Sequence, residues 1–262
     1  MQLATLTNAS FSRAMACIIN AIMAMATNEE SSSVKMMATK KSAASSLILL
    51  LQLIEANDWQ KINSIFLKNP SKYQEMVDLI NKSSSFNGMT FLHAACRFDP
   101  PSSIVRKMIM LCPDDVKALD CLNRTPLHVA TGTGASASVV SALVEAYPDA
   151  CHTQDADKRT PLHMACDSSC VLFNGSVNSH DAPRYDIVSI LLSASPSAVI
   201  LEDVDEMTAI EYALMSSGKL KVVKMLQRAS QKVLRKKQED DKMKQQLSGF
   251  SPKGKVLSAR SA

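Results

Sequence analysis

Three histidines share one setting. His93, His128 and His163 each stand three residues after a threonine (Thr90, Thr125, Thr160) and two before an alanine. With Cys166 and Cys170, His163 forms H-x2-C-x3-C, half of a zinc-site pattern that His180 could extend. Imidazoles could also do acid–base work. The phase argues against both readings. Cys96 follows His93 by the same three residues, so the His/Cys pair recurs rather than marking one metal centre. "GTG" at 132–134 lacks the glycine and lysine of a phosphate loop. Asp120, Asp155 and Asp203 each precede a threonine by five residues, which suits turn formers better than a paired general acid and base. No catalytic residue, cofactor or metal is expected.

What must position these residues is a repeat. "RTPLH" occupies 124–128 and again 159–163, and Thr90, Thr125, Thr160 and Thr208 fall 35, 35 and 48 residues apart. Pro113, Pro148 and Pro196 sit twelve residues before the later threonines. Each unit parses as turn, short helix, loop and second helix. In the second unit Thr125 is placed to cap a helix and Pro126 to open it, where a missing N–H costs nothing. Val139, Val140, Leu143, Val144 and Tyr147 then form a helical stripe, and Pro148 stops it. Two short helices cannot bury both their sides alone, so such units must stack into an elongated all-α solenoid.

"TPLHVA" at 125–130 and "TPLHMA" at 160–165 resemble the ankyrin signature T-P-L-H-x-A, at a period close to that family's. The resemblance implies an all-α ankyrin-repeat solenoid of helix-turn-helix units with β-turn hairpin fingers. It implies a non-catalytic protein–protein interaction module, with fingers and first helices lining a concave partner face. The signature histidine would fix the start of each first helix by hydrogen bonding around the preceding turn.

The departures shape the domain layout. Phe91 replaces the signature proline in the first unit, and Ala209, Ile210 and Glu211 stand for Pro, Leu and His in the last, as suits a terminal layer. An N-terminal cap is expected over 47–86, with two helices parted near Asn57–Asp58 and with Trp59, Ile62, Ile65 and Phe66 packed on the next unit. Repeats follow at about 87–121, 122–156, 157–204 and 205–230. The third unit carries 13 extra residues between its helices, within 167–186. There "CVLF" at 170–173 either tucks onto the convex helices or meets a partner.

The flanks differ from the body in charge. Residues 219–262 hold 13 of the 29 basic side chains and 3 of the 25 acidic ones. A mildly acidic body thus carries a basic tail, 231–262, read as a charged helical extension or short coiled-coil arm ending in a disordered segment. Residues 1–46 read as a flexible extension and Ser-rich linker. A plain extension, an organellar presequence and a secretory signal all remain open for its start. Seven cysteines without a CxxC pair argue for reduced thiols, hence a cytoplasmic or nuclear protein. No run of 18 apolar residues spells a membrane span.

The functional expectation falls on equivalent turn tips. Leu122 and Arg124, Asp157, Lys158 and Arg159, and Asp205, Glu206 and Met207 make a mixed polar row with two apolar anchors, suited to reading protein segments. The expected partners are one or more proteins, met by a monomer acting as adaptor or regulator. The alternative adds nucleic acid or anionic membrane contact through the basic tail.

Overall fold

The computed structural model describes residues 34–82, 88–170, 172, 183–216 and 219–248. They form stacked pairs of helices. The N-terminal layer begins with α1 (Val34–Glu55), whose Leu47, Leu50, Leu51 and Ile54 fall on one helical face and are buried. The chain turns through Asn57 at φ 55°, and Asp58 caps α2 (Trp59–Lys68) by accepting the Lys61 N–H at 3.1 Å. Ile62 and Phe66 are buried, with Trp59 and Ile65 packed against the same core.

Two features of this layer correct the sequence reading. Helix α1 begins at Val34, inside the segment read as a linker, because the Ala, Met and Lys of "VKMMATKKSAASS" favour helix more than its serines oppose it. A third helix, α3 (Pro70–Lys82), follows at once and buries Tyr73, Met76 and Val77. Tyr73 lies edge-on to Phe66, ring centroids 4.8 Å apart, and 5.6 Å from Phe91 of the first repeat.

Each repeat then pairs a short first helix with a longer second one. These are α4 (Phe91–Cys96) with α5 (Ser102–Leu111), α6 (Pro126–Gly132) with α7 (Ala137–Ala146), and α8 (Pro161–Cys166) with α9 (Tyr185–Ala194). Helix α10 (Ala209–Met215) pairs with α11 (Leu220–Ser248). Isolated helices of six or seven residues do not form in water, so α4, α6 and α8 exist because neighbours bury them. Every residue of α4 and α6 is buried.

The recurring prolines do more than stop the second helices. Each opens a 3-10 turn: Pro113–Lys117, Pro148–Cys151 and Pro196–Ile200. The preceding residues, Cys112, Tyr147 and Ser195, are extended at φ −137° to −147°. A residue before proline is pushed out of the helical region, which sets both the stop and the direction of the next segment.

Past the body, α11 keeps going. Val222, Val223 and Leu226 are buried against the Pro196–Ile200 turn and α10, while residues 234–245 are exposed throughout. The expected tail beyond 248 and the N-terminal 33 residues lie outside the described residues.

Candidate functional site: the row of turns

Before each first helix the chain reverses around an aspartate. Asp120 Oδ1 accepts the N–H groups of Leu122 and Arg124, both at 2.9 Å. Asp155 does the same for Asp157 and Arg159 (3.0 and 2.7 Å), and Asp203 for Asp205 and Met207 (2.9 and 3.0 Å). A backbone bond closes each loop, Asp120 N to Arg124 O, Asp155 N to Arg159 O and Asp203 N to Met207 O. So the aspartates are turn formers. Among the described residues no β-ladder forms: Glu202 and Thr208 make an isolated antiparallel bridge. The expected hairpin fingers are therefore tight turns here, because the carboxylate takes the N–H groups that a ladder would use.

One residue per turn lies in the left-handed region, always two before the threonine: Gly88, Asn123, Lys158 and Glu206, at φ 77°, 56°, 58° and 60°. Adjacent tips are tied together. Ala156 N–H donates to Leu122 O (2.9 Å) and Val204 N–H to Asp157 O (3.0 Å). The last three tips thus form one continuous, hydrogen-bonded row.

Each threonine and histidine then lock turn to helix and layer to layer. Thr90, Thr125 and Thr160 donate their N–H to Nδ1 of His93, His128 and His163 at 3.2, 3.1 and 3.0 Å. An Nδ1 that accepts leaves the proton on Nε2. That Nε2 donates into the next layer: His93 to Arg124 O at 2.9 Å, His128 to Arg159 O at 3.2 Å, and His163 to Leu201 O and Met207 O, both 3.1 Å. Burial holds His93 and His128 neutral, with pKa pushed down to about 4, and lowers that of His163. Each ring serves its own layer, and they do not converge. Among the described residues no group of three His, Cys, Asp or Glu side chains could hold a metal. Burial also raises the Cys96 and Cys166 thiols, and lifts Cys170 to about 11.

The expected site residues divide into two sets. Leu122, Asp157, Lys158, Asp205 and Glu206 are exposed on the tips, and Met207 is half-buried. The two arginines are not on display, which corrects the expectation that they face a partner. Arg124 is buried, its Nε and Nη2 donating to Asp120 Oδ2 at 2.8 and 2.7 Å. Arg159 turns inward instead to Asp167 at 2.7 Å and lies over the Tyr212 ring, 5.2 Å from its centroid. Tyr212 in turn donates to Asp203 Oδ2 at 2.6 Å. Exposed Cys121, Ala156 and Val204 also belong to the row, and sequence reasoning passed over them. Their place four residues before each threonine was the available signal.

Of the "CVLF" stretch, Cys170 and Leu172 are described. Leu172 tucks onto a first helix rather than the convex helices: its Cδ1 lies 2.4 Å from where a Cβ on Gly132 would be. Only a residue without a side chain lets it approach so closely.

Stacked helix pairs, repeated aspartate turns and layer-bridging histidines define a helical repeat scaffold. The family model described as ankyrin repeats (3 copies) matches residues 92–181, so that segment is similar to ankyrin repeats. No curated protein matches it. The ankyrin repeat is a non-catalytic scaffold whose general role is protein–protein interaction.

Proposed function

We propose that this protein is a non-catalytic adaptor or regulator that grips a protein segment along the turn row and the adjoining concave face. One observation carries the reading. The tips are hydrogen-bonded to each other while Leu122, Asp157, Lys158, Asp205 and Glu206 remain exposed, so the row is ordered before any partner arrives. Preorganised donors and charges lose little freedom on binding. Asp157, Lys158, Asp205 and Glu206, three acids around one base, select by charge matching, with Leu122 and half-buried Met207 as apolar anchors. The chain works as a monomer with no cofactor, in the cytoplasm or nucleus, where buried thiols such as Cys96 and Cys166 stay reduced.

The test is affinity capture with the intact chain, followed by quantitative binding of the captured protein to Asp157→Lys/Lys158→Glu. Both side chains are exposed, so the fold is retained. Binding weakened tenfold or more supports the row. Unchanged binding by this folded variant removes it.

A further inference from the structure

Helix α11 carries a feature outside the turn row. Lys221, Lys224, Arg228, Lys232 and Arg235 are spaced 3, 4, 4 and 3 residues apart. At about 100° per residue this places all five within a sector roughly 80° wide, running about 21 Å along the helix. All five are exposed. The opposite side of the helix is the one in use: Val222 and Leu226 are fully buried against the last repeat. No acidic residue occurs between Lys219 and Gln238, so the first carboxylate the stripe meets on its own element is Glu239, four residues after Arg235. From the packed elements, Asp186 lies near its start but is bonded to Arg184 at 2.8 Å, and Lys221 sits 4.0 Å over the Tyr185 ring. Repelling cations at i, i+4 destabilise a helix, so nothing in the fold of α11 calls for this arrangement.

We propose that this stripe docks a short acidic segment of a partner protein, one that presents carboxylates at helical spacing. Among the described residues of α11, the exposed large apolar side chains Leu220, Leu234 and Met243 are spread along the helix rather than gathered in one patch, which disfavours insertion into a membrane. The length of the stripe disfavours a nucleic acid. Glu239, Asp240 and Asp241 close it at one end. A polyanion longer than the stripe would run onto like charge at that end, while a segment of about four helical turns matches it. None of the five residues packs on aromatics that could stack bases, apart from Lys221 on Tyr185.

The test uses the full chain. A helical peptide of about 18 residues with Glu at alternating i+3 and i+4 positions is titrated by fluorescence anisotropy at about 50 mM salt, beside a scrambled peptide, a single-stranded oligonucleotide and phosphatidylserine vesicles. Two variants change the net charge equally: Lys224→Glu/Arg228→Glu/Lys232→Glu on the stripe, and Lys219→Glu/Lys237→Glu/Lys244→Glu off it. The proposal expects the striped peptide to bind best, with affinity falling as salt rises. It expects a loss of tenfold or more in the stripe variant and less than threefold in the other. Absence of peptide binding, equal losses in the two variants, or tighter binding of oligonucleotide or vesicles would overturn it.

Discussion

The Nε2 of His93 lies 2.9 Å from the carbonyl oxygen of Arg124, thirty-one residues further along and one layer down. The same ring accepts from Thr90 through Nδ1, so a single imidazole caps its own helix and fastens the next turn. The last repeat separates those tasks. Glu211 stands at the histidine position and takes the Thr208 N–H and hydroxyl at 2.5 and 2.8 Å, keeping the cap. A carboxylate has no proton to donate onward, and among the described residues no further layer follows to receive one.

Replacing a middle histidine should therefore cost more than losing a helix cap. His128→Ala would orphan the buried Thr125 N–H and remove one of two donors to the Arg159 carbonyl, which keeps the Asp155 N–H. The cost is about 1–3 kcal/mol for the unsatisfied N–H plus about 1 kcal/mol for the lost interlayer bond. Glu211→Ala, exposed and without a next layer, should cost about 1 kcal/mol. Urea denaturation of both variants checks the ranking; equal costs would show that the interlayer bond contributes nothing.

Acid should loosen the stack. His93 and His128 titrate near 4 when folded and near 6.5 when unfolded, so between those values the unfolded chain binds more protons and stability falls as pH falls. Each contributes up to about 1.4 kcal/mol per pH unit in that window. Asp115 opposes them. Its carboxyl is buried, raised to about 6, and its Oδ2 has no hydrogen-bond partner. From about 4 to 6 the folded state holds its proton more firmly, so Asp115 gains stability on acidification. Two against one leaves a net loss from pH 6.5 towards 5. Thermal melts over that range should show a falling midpoint, and Asp115→Asn should steepen the fall; a flat profile in both would contradict it.

Arg124 should behave as a structural residue. Its pair with Asp120 is almost fully enclosed, the side chains 9% and 1% exposed, so Arg124→Ala strands a buried carboxylate. Breaking such a pair costs about 3–5 kcal/mol. Asp120→Asn/Arg124→Met, which strands no charge, should recover much of that loss, and chemical denaturation of the three proteins measures it. A single variant as stable as the parent would show that the pair contributes little.

These arginines also mark where the sequence stopped being legible. Period, caps and stacked helices could be read because Thr, Pro, His and Asp act within a few residues of themselves. "RTPLH" occurs twice, yet Arg124 pairs with Asp120 while Arg159 pairs with Asp167. Eight residues after Arg124 the equivalent position is Gly132, which offers no carboxylate, so the guanidinium falls back on its own turn. The difference lies outside the repeated letters. Helix α3 was missed for another reason: after Asn69 the proline opens a helix of 13 residues rather than the short 3-10 turn that follows the other units.

The turn tips hold side chains in a conformation that L-residues pay to adopt. Gly88 occupies it freely, and a Cβ there would also strike the Leu119 carbonyl oxygen at 2.4 Å, so Gly88→Ala should destabilise through both strain and collision. Lys158 and Glu206 sit at φ 58° and 60° with their side chains exposed and open to replacement. Left-handed geometry costs a residue with a Cβ about 1–2 kcal/mol, partly offset by the greater unfolded-state freedom of glycine. Lys158→Gly and Glu206→Gly should then each raise stability by up to about 1 kcal/mol. The same substitutions remove two of the charges assigned to the partner row. A chain that becomes more stable while binding its captured partner more weakly would show that the tips trade folding energy for contact. Greater stability with unchanged binding would confine their role to the turn.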